Sequence, residues 1–79
     1  MITCDDREYT QHPDIKELLP DIQVERLDAC DYAFLDYATN PIGIERMEIS
    51  NLIQKLNSGE LESQLRIAEE LYSKIYLLI

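Results

Sequence analysis

The apolar stretch Ile42-Gly43-Ile44, which runs into the charged Glu45-Arg46 and then toward a helix start at Ser50, constrains this chain more than any other segment. Upstream of it, Cys30–Leu35 also reads as a strand. The five residues Asp36–Asn40 between them carry turn-forming Asp and Asn with no long spacer, so the two strands make a hairpin. With the turn centred on Ala38, Tyr32 and Phe34 fall opposite Ile44 and Ile42 on one face, and Asp31 falls opposite Glu45 on the other. Every apolar residue then has an apolar partner, but two carboxylates stand side by side. Like charges directly opposite one another destabilise a sheet, so this register points to a cation between Asp31 and Glu45. A register shifted by a bulge would instead leave both acids in solvent, and periodicity leaves both readings open.

A chain of 79 residues makes one small domain, 1–79, and buries only about 60% of its unfolded surface. Cys4 and Cys30 are too few for a disulfide scaffold, which fits a reduced, intracellular chain, cytoplasmic or nuclear. Asp5, Asp6 and Glu8 interrupt any apolar run after Met1, and the closing apolar run is too short to span a bilayer, so no membrane role is expected. The net charge of −9 excludes binding of nucleic acid through a broad basic surface, since that affinity comes from Lys and Arg neutralising phosphates. Contact with DNA would have to be local or metal-assisted.

Along the chain, Ile2-Thr3-Cys4 reads as a short strand ending in the charged cluster Asp5-Asp6-Arg7-Glu8, at the kind of strand end that carries function in α/β domains. The other reading of that cluster is a solvated turn with an internal Arg–carboxylate pair. A short helix over His12–Leu19 follows, with Pro13 in its first turn and Pro20 as its stop, and His12 is assigned a capping or surface role. Gln23–Leu27 alternates as a brief, half-exposed strand. After the hairpin, Ser50 is expected to cap a helix through Leu56 with Ile49, Leu52, Ile53 and Leu56 as its buried stripe. Asn57-Ser58-Gly59-Glu60 breaks and restarts the helix, with Asn57 and Glu60 spaced as a capping box. In the second helix Leu61, Leu65, Ala68, Leu71 and Tyr72 form the apolar face, and Glu62–Arg66 and Glu70–Lys74 make outward i,i+4 pairs. The run Ile75–Ile79 reads as a central strand covered on both faces and parallel to the Ile42 strand. The fold class is α/β, a small mixed sheet flanked by helices.

Four segments together resemble a known family: Asp5-Asp6-Arg7-Glu8, Leu27-Asp28-Ala29-Cys30-Asp31-Tyr32, Ile44-Glu45-Arg46, and Leu56-Asn57-Ser58-Gly59-Glu60-Leu61 with Gln64. Their order and spacing are similar to the nuclease domain of the xeroderma pigmentosum group F type structure-specific endonucleases, which includes the archaeal Hef nuclease. The resemblance implies a restriction-endonuclease-like fold and metal-dependent hydrolysis of DNA phosphodiesters at branched or single-stranded/duplex junctions. It implies that Asp31 and Glu45 hold Mg²⁺ or Mn²⁺, that Asp5 and Glu8 are flanking acids, and that Arg7 and Arg46 are the signature arginines.

The chain departs from the family pattern at four positions, with Cys30 for Gly, Met47 for Lys, Asn51 for Asp and Glu60 for Arg. The metal half of the site is kept. The lysine that would orient water and neutralise transition-state charge is missing, and Met can do neither. Asn51 and Lys55 are i,i+4 neighbours on a polar side of the following helix that can face the hairpin end, so Lys55 either supplies the missing charge or is a solvent-facing lysine. The family continues with further strands and helices beyond the point matching Ile79, so the chain reads either as a version truncated at its C-terminus or as a minimal one completed by a homodimer or heterodimer. Two functions remain open: a DNA endonuclease, and a catalytically inactive relative acting as a protein-interaction or regulatory module.

Overall fold

A computed structural model describes every residue from Met1 to Ile79. The alternating apolar segments become five strands, β1 (Ile2–Asp5), β2 (Gln23–Glu25), β3 (Tyr32–Leu35), β4 (Pro41–Arg46) and β5 (Lys74–Leu78), in one sheet of order β2-β1-β3-β4-β5. β3 is antiparallel to both of its neighbours, whereas β1 pairs with β2 and β4 with β5 in parallel. Helices α1 (Asp6–Gln11) and α2 (Ile15–Leu18) link β1 to β2, and α3 (Ile49–Ser58) and α4 (Glu60–Leu71) link β4 to β5. The two crossovers step outward from the middle of the sheet in opposite directions, so right-handed connections put the two helix pairs on opposite faces. Packing agrees: Tyr9 and Ile15 close over Cys4, Ile22 and Tyr32 on one face, while Tyr72 lies against Gly43 on the other. This is the α/β, restriction-endonuclease-like arrangement that the resemblance implies.

The hairpin has the unshifted register, with Tyr32 opposite Ile44 and Phe34 opposite Ile42. Its turn is held by the Asp36 carboxylate, which accepts from the Ala38 and Asn40 N–H groups at 2.9 Å, while Thr39 takes a left-handed φ of 63°. Ahead of the hairpin Cys30 is also left-handed, at φ 68°. A side chain there costs energy that glycine would avoid, which gives a backbone reason for the family's Gly at this position.

Several expectations are corrected. β5 is an edge strand, not a central one, and Tyr76, Leu78 and Ile79 are exposed. A continuous apolar run satisfies either environment, and the order of the sheet, which the run does not encode, decided it. Asp6–Gln11 is a helix rather than a solvated turn, because the buried Asp5 caps it, and the helix expected over His12–Leu19 shrinks to Ile15–Leu18. The α3 stripe is not buried: Ile49, Ile53 and Leu56 are exposed and only Leu52 is half-covered. Ser50 and Asn57 lie inside α3 and cap nothing; Glu48 stands at its N-cap and Gly59, at φ 80°, closes it. Glu62 pairs with Arg66 at 2.7 Å, but Lys74 has left the helix and makes no pair with Glu70.

Gly43 is a point of close approach. A Cβ built there would meet Cys30 Sγ and Tyr72 Cδ2 at 2.8 Å, and Tyr72 is fixed by its O–H donating to the Ala29 carbonyl at 2.8 Å. Gly43→Ala is therefore expected to destabilise the fold by about 1–3 kcal/mol in urea denaturation, the scale of overpacking a filled core.

Candidate active site

β1 and β4 run the same way, so their carboxyl ends lie at one edge of the sheet, with the start of the antiparallel β3 between them. Crevices at the carboxyl ends of such strands are where α/β sheets bind ligands. Here a cavity of about 320 Å³ is lined by Asp5, Arg7, Asp28, Ala29, Cys30, Asp31, Glu45, Gln64 and Ile67. Four of the residues singled out in the sequence, Asp5, Arg7, Asp31 and Glu45, thus share one cavity.

Asp31 sits one residue before β3 and is tied in place by its backbone: its N–H donates to the Ile44 carbonyl at 2.9 Å and its carbonyl accepts from Asp5 N–H at 2.8 Å. Its carboxylate accepts from the Arg46 backbone N–H at 2.8 Å. Burial, together with the Glu8 and Asp5 charges, nevertheless pushes its pKa up. Glu45 is pushed further, to about 7, first by burial and then by the Asp31 charge beside it, with Lys55 the nearby cation opposing the rise. Two half-buried acids that oppose one another's ionisation are a place where a proton or a cation is favoured. The same surroundings push the Cys30 thiol up to about 12, which keeps it protonated and unreactive.

Asp5 lines the same cavity but is already committed. It is 2% exposed, and its two oxygens accept from Arg7 N–H, Arg7 Nε, Arg7 Nη2 and Leu27 N–H at 2.8–3.1 Å. Burial opposes its charge, but the Arg7 guanidinium and those N–H groups outweigh burial and hold its pKa below the usual range. Asp5 therefore caps α1 and pins the Leu27 loop, and Arg7, which also donates to the Leu27 carbonyl, is neutralised by it.

Glu8 and Arg46 stand apart from the cavity. β4 alternates, so Arg46 points to the α1/α2 face while Glu45 points to the α3/α4 face. There Glu8, 5% exposed, accepts from Arg46 Nε at 2.6 Å and from the Tyr32 hydroxyl at 2.9 Å. His12 Nε2 meets Arg46 Nη2 in a short contact, which requires the ring nitrogen to be the acceptor. Arg46 thus hydrogen-bonds Asp31 through its main chain and Glu8 through its side chain. Sequence reasoning gave Tyr32 and His12 no part in this network, since nothing in their local spacing reports partners 24 and 34 residues away.

Lys55 is half-buried and its Nζ lies 3.4 Å from Gln64 Oε1. The sequence assigns Gln64 no role beyond its place in the motif, although its position between Leu61 and Ala68, both buried, puts it on the inward side of α4. Met47 is 6% exposed and packed into the interior, so nothing at that position brings charge to the cavity.

The donor set suits a hard cation. No group of three or more His, Cys, Asp and Glu gathers at ligand spacing, which excludes an all-protein cage. A pair of carboxylates opening on a cavity with room for several waters matches Mg²⁺, which is held by one or two carboxylates and keeps most of its water.

The pair has a pH signature. Below about 4.5 Glu45 is protonated in both folded and unfolded chains, and above that the unfolded chain releases its proton while the folded one retains it up to about 7. The folded state binds more protons in that window, so metal-free stability is expected to fall as pH rises from about 4.5 to 7 and then level off. Urea midpoints measured across that range check the slope, and Glu45→Gln should flatten it.

No helix is long and apolar enough to cross a membrane. No curated protein and no solved structure matches the chain. The family model of the ERCC4 domain does, over residues 4–79, which takes in every segment that carried the resemblance and all of the cavity. By its fold, its motifs and that match, the chain belongs to the ERCC4 domain family, a family of DNA-repair nucleases whose members typically depend on divalent metal.

Proposed function

We propose that this chain is a metal-dependent DNA endonuclease of the structure-specific type, and that Asp31 and Glu45 hold its Mg²⁺ or Mn²⁺. The observation that carries this reading is the acid pair itself, two carboxylates raised in pKa and facing one cavity in a chain of a nuclease family. A divalent ion bound there would polarise the scissile phosphate and lower the pKa of the attacking water. The chain's own residues have three tasks. Asp31 and Glu45 bind the ion, with Asp31 oriented by the Arg46 N–H. Asp5, Arg7, Glu8 and Arg46 hold the strand ends that carry the pair. Lys55 supplies the positive charge that Met47 cannot.

Elimination supports that last assignment. The chain has 7 Lys and Arg, and Arg7, Arg26, Arg46 and Arg66 are each paired with a carboxylate. Lys16 and Lys74 are exposed on other elements. Lys55 is the cation beside Glu45 that no carboxylate neutralises. Lys55→Ala is expected to lower cleavage by about 10²-fold, as for loss of a positioned charge, while leaving metal binding intact. The substrate is DNA reached locally, at a branch or a single-stranded/duplex junction, because a chain of net charge −9 has no broad basic surface to hold a long duplex.

The test is a titration of Mg²⁺ and Mn²⁺ coupled to cleavage of branched, single-stranded and duplex DNA. Metal-dependent products from the branched substrate are expected. The buried Met47 favours a second reading, an inactive nuclease-like domain that serves as a regulatory or protein-interaction module. On that reading no divalent ion yields cleavage of any substrate.

A further inference from the structure

We infer that Gln64 is a positioning residue, which holds the Lys55 ammonium at the Glu45 side of the cavity from the facing helix. The inference rests on the nuclease reading for its catalytic consequence, and on geometry for the contact. Lys55 stands in the last turn of α3 and Gln64 in the second turn of α4. Gly59, at φ 80°, folds the two helices back on each other at a conformation that side chains rarely adopt. That corner brings Gln64 Oε1 to 3.4 Å from Lys55 Nζ. The same Gln64 side chain lines the cavity with Asp31 and Glu45. One residue therefore touches both the free cation and the wall of the acid pocket.

The residue type matters. Each of the four arginines is held by a carboxylate, and each is thereby neutralised. Lys55 is held by an amide oxygen, which accepts a hydrogen bond without cancelling the charge. A lysine has four rotatable bonds and many rotamers, so an unheld ammonium would spend little time aimed at a phosphate in the cavity. A neutral acceptor fixes its direction and leaves its charge for the substrate.

Two measurements decide the inference, one of them independent of activity. In the first, single-turnover cleavage of branched DNA with Mg²⁺ is compared in wild type, Gln64→Leu, Lys55→Ala and the double variant. Gln64→Leu should slow cleavage about 10-fold with unchanged DNA affinity, the scale of a misplaced group, and should cost nothing further in the Lys55→Ala background. Gln64→Glu should also slow cleavage, because it neutralises the ammonium while still holding it. Equal losses from Gln64→Leu in both backgrounds, or none in either, would overturn the inference.

In the second, nuclear magnetic resonance of the lysine ammonium groups reads their order directly in the metal-free chain. Lys55 should be more ordered than Lys16 and Lys74 in wild type and in Gln64→Glu, and should become as mobile as they are in Gln64→Leu. A Lys55 already as mobile as Lys16 in wild type would overturn the contact. An ordered Lys55 that Gln64→Leu frees, in a chain that cleaves no DNA, would support the positioning and sink the nuclease reading alone.

Discussion

Asp5→Ala is expected to cost the chain a large share of its stability at 25 °C, although Asp5 lines the same cavity as Asp31 and Glu45. The substitution removes four hydrogen bonds at once. It takes away the cap of α1, leaves the Leu27 N–H without an acceptor, and frees the Arg7 guanidinium from its partner. A lost cap costs about 1 kcal/mol and an unsatisfied buried N–H about 1–3, while the freed Arg7, whose side chain is exposed, adds little. These overlap, since one carboxylate serves both, so about 2–3 kcal/mol is the expected loss. Small domains hold 5–15 kcal/mol and one of this length sits toward the low end. Asp5→Asn keeps one acceptor oxygen and should lose about half as much. Urea denaturation followed by circular dichroism measures both, and an Asp5→Ala chain as stable as wild type would contradict the structural role given to this residue.

Glu45→Gln should act in the opposite direction on the metal-free protein. The Asp31 charge raises the pKa of Glu45, so neutralising Glu45 removes a repulsion that is present at pH 8 and absent at pH 4. The variant is expected to be more stable than wild type at pH 8, by about 1 kcal/mol once solvent screening of these half-buried groups is allowed for. Asp31→Asn should gain less, because it weakens the acceptor of the Arg46 N–H at the same time. Function should move the other way. Wild type should gain about 2.7 kcal/mol of stability at a metal concentration 100-fold above its dissociation constant, and neither variant should gain it. Cleavage should fall by about 10³-fold or more in both, since metal binding is the step on which the rest depends. A wild type whose melting is indifferent to Mg²⁺ and Mn²⁺ would remove the metal assignment. The contrast between Asp5 and Glu45 separates an acid that hydrogen bonds hold in place from one whose charge the fold opposes.

The sequence by itself determined the hairpin and offered the register that pairs Tyr32 with Ile44 and Phe34 with Ile42, against a bulged alternative that the structure does not have. Those follow from local rules: a short turn sets the pairing, and a period of two assigns every side chain to a face. It determined the parallel pairing of the last strand with β4 as well, because a helical crossover permits little else. The motifs were specific enough to name the family, since they span the chain in order. What it left undecided depended on residues far apart in the chain. The distant hydrogen-bond partners of the Asp5 and Glu8 carboxylates are Leu27, Arg46 and Tyr32, which reach them across two faces of the sheet. Whether Ile75–Leu78 and the α3 stripe were covered depended on strand order and on which helix lay outermost, and an apolar run looks the same in either place. The contact between Lys55 and Gln64 needed the corner at Gly59 to bring two helical turns together. Only the tertiary structure decided these points, because burial and the partners of a charge are properties of the packed chain and not of its neighbours in sequence.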